Sequence, residues 1–166
     1  MKIFDQYSEL LRYPSEKAVF SNGVDSLERA GTAHLKYYEF GNLQEEYVDS
    51  FDFSEKSSLM ITVHLTEEEK ERSNILAGFA SFQKTYGGSC GNASPDYLPD
   101  LLNALQDAAG RTGGLNDACL MSGILLRAVE KIETALTRSG SVYLPVLCGL
   151  KEELCLFAEN QEVSDA

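Results

Sequence analysis

At 166 residues the chain is long enough for one domain with a full core, and it holds no apolar run near the roughly 18 residues that a membrane span needs. Hydrophobic residues at 43% and charged residues at 24% are the proportions of a globular protein. With 14 Lys and Arg against 26 Asp and Glu the formal charge is -12, which argues against nucleic acid as a partner and for a basic one.

The elements follow from periodicity. Ile3, Phe4, Tyr7, Leu10 and Leu11 share one helical face until Tyr13 and Pro14 stop the run. Leu27, Gly31, His34, Leu35 and Tyr38 mark a second helical face ending near Gly41. Leu43, Tyr47 and Phe51 recur every fourth residue and open a third helix. Past Phe51 either Asp52 or Ser54 can cap the next element. From Leu59 to Leu65 the pattern is ambiguous. Leu59, Ile61, Val63 and Leu65 alternate with Met60, Thr62 and His64, as a strand would. No other segment alternates to pair with it, so residues 55–65 are expected to be helical.

Thr66 and Glu69 have the spacing of a capping box, and Glu67, Glu68 and Glu69 suit the positive end of a helix dipole. Ile75, Leu76, Phe79, Phe82 and Tyr86 extend that helix to Gly87 and Gly88. Residues 87–94, rich in Gly, Ser and Asn, form a connector and a candidate hinge. Leu101, Leu102, Leu105 and Ala109 predict the next helix. The strongest periodicity, Met121, Ile124, Leu125, Ala128, Ile132, Ala135 and Leu136, predicts another, capped by Asn116 or Asp117 and closed at Ser139-Gly140-Ser141. A last helix carries Leu144, Leu147, Leu150, Leu154 and Phe157, with Pro145 admissible only in its first turn. These elements predict an all-α, single-domain antiparallel helical bundle over residues 1–158, with an acidic tail, 159–166, that frays.

Chemistry is sparsely marked. Cys90, Cys119, Cys148 and Cys155 make no CxxC pair and read as reduced core thiols, and His34 and His64 lack neighbours at metal-binding spacing, so no metal or cofactor is expected. The opening MKIFDQYSELL has no continuous apolar region of a secretory signal, which predicts a cytoplasmic protein. Phosphate-binding loops, nucleophile elbows and metalloprotease helices are absent from the sequence. Asp49 and Asp52 with His64 offer an acid and base pair of a kind common by chance, whereas Tyr47, Phe51 and Phe53 have the spacing of core aromatics. A buried Asp49, Asp52 or His64 needs a partner, within the fold or in a ligand.

Three stretches taken in order, YVDSFDFSEKSSLMITVHL from Tyr47, Glu71-Arg72, and PDYLPDLL from Pro95, resemble the TorD/DmsD/NarJ family of molybdoenzyme maturation chaperones, especially its nitrate reductase delta subunit branch. The resemblance is most specific over residues 46–102, with LLRYP near the start adding to it. It implies an all-helical cytoplasmic protein, not an enzyme, that binds the basic and apolar N-terminal leader of a molybdenum-containing oxidoreductase catalytic subunit and holds it during cofactor insertion. It also implies a peptide-binding role for Tyr47, Asp49, Phe51, Asp52, His64, Arg72, Pro95, Asp96, Tyr97, Leu98 and Pro99. Ala93-Ser94, Asn103 and Ser73 depart from the family's usual Glu-Leu, Glu and Gly, changes that bear on which peptide is bound. The alternative is a helical adaptor or permanent subunit of an oxidoreductase complex.

Overall fold

The computed structural model describes residues 3–15, 40–87 and 94–162. Among them lie α1 (Ile3–Leu10), α2 (Phe40–Phe51), α3 (Thr62–Leu65), α4 (Glu69–Phe82), a π-helical turn (Gln83–Gly87), α5 (Leu98–Gly110), α6 (Leu115–Ser139) and α7 (Leu144–Glu162). The architecture is the all-α, single-domain bundle that the periodicity predicts. The expected helix carrying Leu27 to Tyr38, the thiol of Cys90, most of the 87–94 connector and residues 163–166 lie outside the described residues.

The longest helix shows how patterning becomes packing. Met121, Leu125, Ala128, Ile132 and Leu136 recur on one face of α6 and are buried. Gly140 ends the helix in a left-handed conformation, φ 70°, and the Gly140 and Ser141 amides both donate to the Leu136 carbonyl, at 2.9 and 3.3 Å. A side chain would strain that conformation, which glycine adopts freely. After this short turn α7 runs back against α6, and Pro145 falls in its first turn, where a missing amide costs no helical hydrogen bond.

Helix α5 is the centre of the fold, contacting α1, the π turn and α6. Its apolar face, Leu98, Leu101, Leu102, Leu105 and Ala108, is fully buried. Phe4 of α1 meets Phe157 of α7 edge to face, 5.7 Å between ring centres, closing the bundle on one side. Arg12, just past α1, pairs with Asp100 in the first turn of α5 at 2.5 Å.

Three local expectations are corrected. Residues 55–65 are not one helix. A turn spans Glu55–Ser57, Met60 forms a single bridge, Ile61 already has right-handed helical angles, φ -67° and ψ -33°, as the N-cap, and only Thr62–Leu65 is helical. The bridge residue finds a partner that no alternating pattern advertised: the Ile61 amide donates to the Asp96 carbonyl and the Leu98 amide to the Leu59 carbonyl, both at 2.9 Å, around an isolated antiparallel bridge between Met60 and Tyr97. The strand propensity of this stretch is therefore expressed, at the scale of a single bridge.

The second correction concerns Thr66. It caps no helix. Glu68 is the N-cap of α4 and makes no side-chain capping bond, while Thr66 Oγ1 accepts from the Glu68 amide at 3.1 Å and donates to Glu71 at 2.5 Å. The third concerns α6, whose N-cap is Gly114 rather than Asn116 or Asp117. Asp117 instead accepts the Tyr86 hydroxyl at 2.6 Å, tying α6 to the π turn. That bond to a carboxylate pushes the Tyr86 phenol upward.

Candidate functional site

The two stretches that carry the resemblance meet in space. The Met60–Tyr97 bridge joins them, and the Asp96 carboxylate fixes the joint. Asp96 is buried; its Oδ2 accepts from the Thr62 amide at 3.2 Å and from the Thr62 hydroxyl, and its Oδ1 accepts from Ser94 Oγ at 2.5 Å. Three donors satisfy a carboxylate that burial alone would penalise. Asp96 thereby nucleates α3, whose free N-terminal amide it caps from 34 residues away. Pro95 sits beside it, its carbonyl accepting from the buried Gln83 at 3.1 Å.

His64 lies on α3 and is buried, with Nε2 2.7 Å from the Ser58 carbonyl. A carbonyl only accepts, so Nε2 carries the proton. Burial lowers the affinity of this imidazole for a second proton, and Lys131 lowers it further, against the opposing pull of the Ser58 carbonyl. The Lys131 ammonium also donates to the His64 carbonyl, fastening the end of α3 to α6.

Tyr47 and Phe51 are core residues. Their rings lie 5.1 Å apart, and each stands edge to face with Tyr143, at 5.8 and 5.1 Å. The Tyr47 hydroxyl donates to the Leu11 carbonyl at 3.1 Å and lies 3.3 Å from the Tyr97 hydroxyl. Burial, reinforced by that neighbouring phenol, holds Tyr47 protonated far above its ordinary range. Leu98 and Pro99 are buried too, and the Pro99 carbonyl accepts from Ser8 of α1 at 2.8 Å. These four residues support the site and do not face an opening.

Asp49, His64 and Arg72 do. They line one open groove of about 1370 Å³ walled by α2, α3, α4 and α6. Its apolar floor includes Val63, Leu65, Ile75 and Ile124. Asp52 is exposed beyond the groove's lining, and Phe53, 79% exposed, stands next in sequence to the lining residue Ser54. Tyr97, half-buried, faces Tyr47 and carries the Arg12 guanidinium over its ring at 6.0 Å.

The groove is not acidic, although the protein is. Lys56, Arg72, Arg127, Lys131 and Arg138 supply its positive charge. Asp49, Glu55, Glu67, Glu71 and Glu130 balance them. The excess negative charge of the chain therefore lies elsewhere, and the groove itself is mixed in charge. Arg127, Lys131 and Arg138 belong to no sequence motif. Their signal is helical spacing: they share a face of α6 about a third of a turn from its buried stripe.

Among the described residues no group of three or more His, Cys, Asp or Glu is placed to hold a metal ion, and no helix is long and apolar enough to cross a membrane. Cys119, Cys148 and Cys155 are half-buried rather than deep in the core, and Cys148 and Cys155 are free thiols. Burial pushes the Cys148 thiol up, helped by its contact with Glu133. No protein-family model matches the chain, and no curated protein matches it.

Proposed function

We propose that this protein is a peptide-binding assembly chaperone: it holds the N-terminal leader of a molybdenum-containing oxidoreductase catalytic subunit in the α2–α3–α4–α6 groove while the cofactor is inserted, in the cytoplasm and without chemistry of its own. The observation that carries this reading is convergence. Asp49, His64 and Arg72, separated by 15 and 8 residues in sequence and borne by three different helices, line one groove. The motifs of the resemblance thus supply both the lining and, through Asp96 and Tyr97, the joint that supports it.

The groove suits a segment that is ordered only on binding. Each apolar side chain it covers contributes roughly 1.5–3 kcal/mol, while ordering a flexible leader costs about 2–5 kcal/mol or more, so binding is moderate and release remains possible. Calorimetric titration with synthetic leaders from the host's molybdoenzymes tests the reading. One leader should bind at one site per chain, and Arg72→Ala should weaken it. No complex with any of those leaders overturns it. Stoichiometric retention of this chain in the purified, mature oxidoreductase would instead favour a permanent subunit.

A further inference from the structure

The groove holds ten charged side chains, five of each sign, and yet none is ion-paired with another. The salt bridges among the described residues are Arg12–Asp100 and Glu133–Lys151, both outside it. Lys131 donates to the His64 carbonyl, but Arg127 and Arg138 have no hydrogen-bond or ion-pair partner among the described residues. Arg72 makes one long contact, 3.5 Å to the Thr66 carbonyl, and its buried Nε has no partner. A buried guanidinium nitrogen without an acceptor is costly.

The charges are also sorted. On the α6 wall Arg127, Lys131 and Arg138 outnumber Glu130, whereas the facing edge, formed by the turn before α4 and its first turn, brings Glu67 and Glu71 with Arg72. Arg127 and Arg138 are eleven residues apart, about 16 Å along the helix. Between the walls lies the apolar floor. A purely basic and apolar segment would meet the α6 wall with like charge.

Resting on the peptide-binding reading, we infer that the segment this groove accepts is charged on two sides: an apolar ridge over Val63, Ile75 and Ile124, with carboxylates directed at Arg127 and Arg138. Such a peptide gives the exposed Arg127 and Arg138 carboxylate partners that the fold does not supply, and Arg forks recognise carboxylates with directional bonds. The basic side chains of the same segment then fall against the α4 edge.

Three fluorescein-labelled 18-residue Leu/Ala helices test this, identical except that two positions eleven residues apart are both Glu, both Gln or both Lys. Fluorescence anisotropy should rank Glu above Gln by about tenfold, and Gln above Lys, with the spread narrowing at high salt. Arg127→Gln with Arg138→Gln, confirmed as folded by circular dichroism, should reduce the Glu preference over Gln to within about twofold. Equal binding of the three peptides, or preference for Lys, overturns the inference and leaves the groove reading standing. Binding by none of them overturns the inference, and the leader titration then decides the groove reading separately.

Discussion

Asp96 shows how a polar residue that looks like a ligand contact can be structural. Its carboxylate answers three donors and is buried with them. Asp96→Asn replaces one accepting oxygen by a donor facing the Thr62 amide or the Ser94 hydroxyl, and should cost about 1–3 kcal/mol in urea unfolding. His64 gives a pH signature. The unfolded imidazole takes up a proton near 6.5, while the folded one resists it because the ring is buried. The unfolded state therefore binds more protons as pH falls through that value, and stability must fall with it. Urea midpoints at about pH 7.5 and about pH 5.5 should differ less in His64→Gln than in the wild type, because glutamine can still donate to the Ser58 carbonyl without titrating. Unchanged pH dependence in the variant would remove His64 as its source.

At the scale of elements, the helix ends and the turns between them carry the specificity. Gly114 precedes α6 with an ordinary backbone, and its restriction is steric: a Cβ there would stand 2.4 Å from the Ala108 carbonyl and 3.1 Å from the Tyr86 ring. Gly114→Ala should cost about 1–3 kcal/mol and lower the thermal midpoint. Gly140 is the opposite case, open in space but left-handed in backbone. Gly140→Ala should cost about 1–2 kcal/mol from strain alone, with Gly140→Asn less affected. The two mechanisms separate because asparagine, which tolerates a left-handed backbone, recovers much of the loss at Gly140 but not at Gly114, where its Cβ meets the same Ala108 carbonyl. Helix α3 depends on its ends in the same way. Its one turn is too short to stand alone, and it is held by Asp96 at its start and Lys131 at its end.

For the whole molecule, the division between scaffold and groove predicts two kinds of variant. Phe51 packs between Tyr47 and Tyr143, and Phe51→Ala should cost about 3–5 kcal/mol of folding stability. Asp49 is exposed on the same helix and faces the groove, so Asp49→Asn should leave stability within about 0.5 kcal/mol while altering peptide affinity. Parallel denaturation and binding measurements on the two variants check the division. If Asp49→Asn destabilises the fold as much as Phe51→Ala, the groove face is not a surface free for a partner.

The sequence by itself determined the helices whose apolar residues recur every three or four positions, since that spacing has one simple solution, a buried stripe. It determined the all-α bundle for the same reason, and it marked Gly140 and Pro145 as punctuation because their backbone limits are local. Only the tertiary structure decided the rest. Met60 became a bridge residue because Asp96 to Leu98 arrived from far along the chain to accept from the Ile61 amide and donate to the Leu59 carbonyl. Asp117 left the capping role because Tyr86 came within 2.6 Å. Tyr47, Phe51, Leu98 and Pro99 became support while Asp49, His64 and Arg72 became lining, because burial depends on which helices face each other. The basic wall of α6 was written in the spacing of Arg127, Lys131 and Arg138, but that spacing acquires a meaning only once α3 and α4 stand opposite it.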